Sequence, residues 1–62
     1  MSKPWTVWSW DERNHTWLEV AEGTKAEMRA ALERKERAAA RLMPGVRFTL
    51  AKPGEVPTQV PA

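Results

Sequence analysis

Two stretches in the first third of the chain alternate between apolar or aromatic residues and polar residues. They are residues 5–10, W-T-V-W-S-W, and residues 16–21, T-W-L-E-V-A. Successive side chains of a β-strand point to opposite faces, and strands favour aromatic and β-branched residues, so both stretches predict strands. The polar residues from Asp11 to His15 predict a hairpin turn, because aspartate accepts backbone hydrogen bonds and asparagine or histidine tolerates positive φ.

The length of the hairpin loop decides which side chains share a face. A loop of residues 12–15 pairs Trp10 with Trp17. One face then carries Trp8, Trp10, Trp17 and Glu19, and the other carries Trp5, Val7, Leu18 and Val20. A three-residue loop would instead group Trp8 and Trp10 with Leu18 and Val20, because a slip of one residue turns a strand over. We favour the longer loop, since it groups the aliphatic residues with Val7.

The middle of the chain predicts one amphipathic helix over residues 25–42, which are almost all strong helix formers. Thr24 and Glu27 have the spacing of a capping box, and Pro44-Gly45 ends the helical pattern. The apolar side chains fall on one stripe suited to packing on a sheet: Met28, Ala31, Leu32, Ala38, Ala39 and Leu42.

Residues 46–50, V-R-F-T-L, alternate again and predict a third strand, which Lys52-Pro53-Gly54 ends. The expected fold is α+β in the order ββαβ. A right-handed crossover gives a three-stranded antiparallel sheet in the order 2-1-3, with the helix on one face. We expect a single domain over residues 4–52. Residues 53–62, with prolines at 53, 57 and 61, are expected to form a disordered tail.

Composition excludes several classes of function. The 62 residues include no cysteine, so disulfides and zinc knuckles are excluded, and no apolar run approaches a membrane span or a signal peptide. We therefore expect a cytoplasmic protein. No glycine-rich phosphate loop is present, His15 is the sole histidine, and a chain of this size hardly forms a closed pocket. We expect no enzyme activity, cofactor, metal site or small-molecule substrate; Asp11, Glu12 and His15 fit a turn better than a metal site.

The tryptophans are the most informative feature of the sequence. Tryptophan usually serves core packing, and we assign that role to Trp5. In the favoured register, Trp8, Trp10 and Trp17 lie on the face that the helix leaves open. Three exposed indoles form a large apolar patch, and monomers rarely leave such a patch unused. We therefore predict a binding surface at Trp8, Trp10 and Trp17 for a protein partner or a second copy.

DNA binding is the alternative function. Residues 24–43 hold six basic and three acidic residues. The surface would comprise Arg34, Arg37 and Arg41 on the helix and Arg47 on the third strand. A solvated helix face with i, i+4 ion pairs explains the same charges without any DNA.

Two resemblances accompany these patterns. The string from W-T-V-W-S-W-D to H-T-W-L-E-V-A-E-G-T-K-A-E, with the Ala/Arg-rich helix that follows, resembles short uncharacterised proteins of actinobacteria, actinophages and their mobile elements. This resemblance implies a small accessory protein of a phage or mobile element. Three strands with one helix are also similar to the arm-type DNA-binding domains of tyrosine integrases and to the plant AP2 domain, which read DNA through their sheet. Those domains have the order βββα, and only Arg47 and the tryptophans match their DNA-reading surface.

Overall fold

A computed structural model of the chain, which describes residues 3–61, contains three strands and one helix. They are β1 (Trp5–Asp11), β2 (Thr16–Gly23), α1 (Lys25–Leu42) and β3 (Phe48–Ala51). The sheet has the order β2-β1-β3, and both pairings are antiparallel. This confirms the ββαβ order and the α+β fold. β3 begins two residues later than predicted because the chain first completes a turn in which Val46 N–H donates to the Met43 carbonyl.

The hairpin turn forms as its residues predict. Trp10 pairs with Trp17, so the loop comprises residues 12–15. Asp11 Oδ1 accepts a hydrogen bond from Arg13 N–H at 3.1 Å, and Asn14 Nδ2 donates to Asp11 Oδ2 at 2.6 Å. His15 adopts a φ of 53°, the left-handed conformation that closes the loop.

A β-bulge shifts the pairing of β1 and β2 between Val7 and Trp8. Trp8 pairs with Glu19, whereas Val7 pairs with Ala21, so Val20 is an extra residue without a partner on β1. Ala21 therefore takes the place beside Val7 that we predicted for Val20, which is 42% exposed. Leu18 lies across from Ser9 on the helix side but is 50% exposed, because it lies near the hairpin turn, away from the core cluster. Leu18 thus lies on the face predicted for it, but neither Leu18 nor Val20 belongs to the cluster around Val7.

α1 begins at the predicted capping box. Glu27 N–H donates to Thr24 Oγ1 at 3.1 Å, and Thr24 N–H donates to Glu27 Oε1 at 2.9 Å. Both hydrogen bonds satisfy N–H groups that the first turn of a helix leaves without partners. Glu27 thereby acquires a pKa below its ordinary value, chiefly through the hydrogen bond with the Thr24 backbone.

The core lies between α1 and the sheet. Its centre is formed by Val7, Met28 and Ala31, and partly buried neighbours complete it: Trp5, Ala21, Leu32 and Leu50. At the other end of the apolar stripe, Ala38 is exposed and Leu42 is 80% exposed, contrary to prediction. Ala39, which follows Ala38, is only 7% exposed, so α1 is still covered there and Ala38 lies on its outer side. Leu42 is the last residue of α1 and has little of the fold beside it. Within residues 3–61, no helix combines the length and apolar content of a membrane span.

Candidate binding site on the tryptophan face

Trp8, Trp10 and Trp17 lie on the same face of the sheet. Trp10 and Trp17 are cross-strand partners, and Trp8 lies two residues before Trp10 on β1. Val7, which belongs to the core beneath α1, alternates with them and points to the opposite face. We call the face that carries these three indoles the tryptophan face.

Trp10 is held at the centre of a small aromatic cluster. Its ring centroid lies 5.2 Å from that of Trp17 at an interplanar angle of 69°, and 5.0 Å from that of His15 at 73°. Edge-to-face contacts of this kind each contribute roughly 0.5–1.5 kcal/mol beyond buried area. Trp10 Nε1 also donates to Glu12 Oε2 at 2.7 Å. The ring is thus fixed before any partner arrives.

The same turn contains the acidic residues that we considered as metal ligands. The side chain of Asn14 donates to Asp11 and holds the pKa of that carboxyl below its ordinary value. Glu12 is engaged by the indole of Trp10, and His15 packs against the same ring. Among the described residues, no group of three His, Cys, Asp or Glu side chains is placed to hold a metal ion.

The indole N–H of Trp8 and that of Trp17 have different kinds of partner. Trp8 Nε1 donates to Thr6 Oγ1 at 2.7 Å, two residues away on the same strand. Trp17 Nε1 donates at 2.9 Å to the backbone carbonyl of Gln59, which lies 42 residues away in the sequence. The C-terminal end of the chain therefore contacts the tryptophan face.

A turn after β3 directs this end of the chain back toward the sheet. Glu55 N–H donates to the Lys52 carbonyl at 3.0 Å, and Gly54 has a φ of 77°. A type II turn requires a positive φ at its third residue and often has proline at its second, and Pro53-Gly54 fits this pattern. Residues 55–61, which we call the C-terminal segment, form no helix or strand.

The C-terminal segment covers part of the tryptophan face. Thr6 and Ala51, which pair with each other on this face, are only 9% and 2% exposed although α1 lies on the other side. Glu55 and Val56 line a cleft together with Thr6 and Trp8, and the whole segment lines a groove that includes Trp17 and Ala51. Thr6 and Ala51 are therefore buried by the C-terminal segment and not by a helix.

The two prolines of the segment are its most buried residues. Pro57 and Pro61 are half-buried, whereas Val56 and Val60 are 60% and 54% exposed. The disorder predicted for residues 53–62 stays a prediction, but sequence reasoning missed the contact with Trp17. The regular spacing of the prolines beside an aromatic sheet was the available signal.

The three indoles are therefore half-buried, not fully open as we expected. Trp8 and Trp17 neighbour the C-terminal segment, whereas the hydrogen bond and the ring contacts of the Trp10 side chain are with Glu12, His15 and Trp17. Their shared face makes them one surface, as the hairpin register predicted.

The arginines of the alternative site lie elsewhere. Arg34, Arg37 and Arg41 are exposed on α1, across the sheet from the tryptophan face. Within the described part of the chain, these three arginines form no ion pair, so the i, i+4 pairing that was the alternative explanation of the helix charges does not involve them. Arg47 precedes β3, and its carbonyl accepts the Trp10 backbone N–H at 2.9 Å. It lines both the groove beside Trp17 and a cleft at the end of α1.

Compared with protein-family models, curated proteins and solved structures, the chain matches none of them.

Proposed function

We propose that this chain is a small non-catalytic binding module that engages a protein partner, or a second copy of itself, through the tryptophan face. The observation that carries the proposal is the position of Trp8, Trp10 and Trp17 outside the core beneath α1. Core packing under the helix does not account for three indoles on the other side of the sheet. A role in a phage or mobile element is part of the proposal on the sole ground of the resemblance described above.

Preorganisation supports this function. A side chain that is fixed before binding loses little conformational freedom on association, and tryptophan and tyrosine are enriched at binding hot spots for that reason. Trp10 has two ring contacts and a hydrogen bond in the chain itself. It therefore offers a rigid apolar anchor in the middle of the surface.

The test has two parts, both on the full-length chain. Sedimentation from micromolar to millimolar concentration measures self-association, and selection from an unbiased displayed peptide library measures binding to other chains. We expect Trp10→Ala to abolish or weaken whichever of the two is observed. Leu18→Ala is the control, since Leu18 is a half-exposed apolar residue on the opposite face and should change neither. Binding that survives Trp10→Ala unchanged would contradict the proposal.

DNA binding through α1 is the second candidate, and the exposed, unpaired arginines of the helix favour it. Gel-shift titration with duplex DNA at two salt concentrations tests it. If Arg34, Arg37 and Arg41 each contact a phosphate, a plot of the logarithm of the association constant against the logarithm of the salt concentration should have a slope of about −2.7. Replacing all three with alanine should remove the shift, and Arg13→Ala in the hairpin turn is the matched control. The absence of a shift at low salt would eliminate this candidate.

A further inference from the structure

We infer that the tryptophan face is a receptor for proline-containing segments of a partner protein, and that the C-terminal segment occupies it as a ligand in cis. This inference rests on the proposed function and specifies the class of partner. It predicts that a partner segment binds by displacing residues 55–61.

The chemistry of the observed contact supports this assignment. Trp17 Nε1 donates to a backbone carbonyl, a group that any peptide presents, so the contact recognises chain conformation more than side-chain identity. Proline-rich segments suit such a donor because they make no internal hydrogen bonds, and they lose little entropy on docking to aromatic grooves. The half-burial of Pro57 and Pro61 beside exposed valines indicates that the prolines are the recognised side chains.

The connection to β3 argues for a cis ligand in the resting protein. The Lys52–Glu55 turn brings the C-terminal segment back to the sheet without a long linker. Because the connection is short, the effective concentration of the C-terminal segment at the tryptophan face is about millimolar. A segment of another molecule with the same affinity must exceed that concentration to displace it. The C-terminal segment of a second copy would make the same contacts as the cis segment and would gain nothing over it.

A segment of another protein gains an advantage if it covers more of the surface. Trp10 does not line the groove that the C-terminal segment forms with Trp17, and its hydrogen bond and ring contacts are with residues of the hairpin. A partner segment that contacts Trp17 and also extends over Trp10 would bury a second indole. The expected partner is therefore a proline-containing segment that reaches further toward the hairpin turn than residues 55–61 do.

The experiment uses a fluorescent peptide of residues 53–61 as the probe and full-length protein as the receptor. In the double variant Pro57→Asp, Pro61→Asp, charged residues replace the half-buried prolines, so the cis segment should leave the face. We expect the probe to bind this variant more tightly than the unaltered chain by about the ratio of the millimolar effective concentration of the cis segment to the probe's own Kd, which is about tenfold for a Kd of about 0.1 mM. Trp17→Phe in the same background keeps a ring but removes the N–H donor, and should weaken binding several-fold.

Two controls make the comparison specific. Pro44→Asp changes an exposed proline in the connection between α1 and β3, and should leave probe binding as weak as in the unaltered chain. A probe that carries aspartate at both proline positions should not bind. In ¹⁵N NMR spectra of the double variant, the indole N–H signal of Trp17 should shift and that of Trp5, in the core, should not.

The outcomes separate this inference from the proposed function. Failure of the probe to bind the folded double variant would overturn the inference, whereas Trp10-dependent binding of proline-free library peptides would leave the proposed function intact. Gly54→Val provides a second way to release the segment, because valine is strained at a φ of 77°. If both releasing variants lose the fold, the C-terminal segment is a structural part of the domain and the inference is wrong.

Discussion

Val7 and Val20 form a matched pair that tests the β-bulge and the position of the core. Val7 is 0% exposed and contacts the core cluster, whereas Val20 is 42% exposed. If β1 and β2 paired without a bulge, the two valines would be cross-strand partners on the helix side and would be buried together. Replacing each with alanine therefore distinguishes the two registers by the free energy of unfolding.

The expected costs follow from burial. Val7→Ala removes two buried carbon groups at about 0.8 kcal/mol each and leaves a cavity, which together cost about 2–3 kcal/mol. That is roughly half of the 3–5 kcal/mol that a single core supplies to a chain of this size. Val20→Ala removes a partly solvated side chain outside the core, and should cost less than about 0.5 kcal/mol.

Urea denaturation followed by circular dichroism measures both values. The midpoint should fall markedly for Val7→Ala and little for Val20→Ala, with similar slopes for both variants. Equal losses in the two variants would refute the bulge and would return Val20 to the buried face.

Three further predictions concern the helix boundaries and pH. Thr24→Ala should lower the free energy of unfolding by about 1 kcal/mol, because it removes the side-chain oxygen that caps α1. A decrease of less than about 0.3 kcal/mol in urea denaturation would contradict the capping role. Gly45→Ala should cost about 1–2 kcal/mol because Gly45 has a φ of 101°, and an unchanged melting temperature would show that this turn relaxes. The pKa values of Asp11 and Glu27 are lowered from ordinary values of 3.8 and 4.5, so both groups release protons more readily in the folded chain. The stability that these two carboxylates contribute should be complete at pH values above 3.8 and 4.5, and should be lost as the pH falls through their lowered pKa values. Urea midpoints at about pH 6 and about pH 3 measure this loss of stability. The difference between the two midpoints should be smaller in Glu27→Gln.

Local interactions explain why much of the fold could be predicted from the sequence. The capping box of Thr24 and Glu27, the Asp11 turn and the positive φ of His15 each depend on residues within a few positions of one another. Period-two alternation places Trp8, Trp10 and Trp17 on one face as soon as the loop length is known. These signals were sufficient for the element order, the strand order and the tryptophan surface.

Contacts between distant parts of the chain decided the rest. The bulge at Val20 depends on how β2 meets β1 along its length, and the burial of Ala39 beside the exposure of Leu42 depends on where the end of α1 lies against the rest of the fold. The spacing of Pro57 and Pro61 was a signal for contact with an aromatic surface, but it does not identify the Gln59 carbonyl as the partner of Trp17, because that hydrogen bond joins residues 42 positions apart. The sequence alone determined the element order and, for a loop of residues 12–15, which indoles share a face. Only the tertiary structure decided that the end of the chain would cover two of them, since that depends on where the turn after β3 directs the backbone.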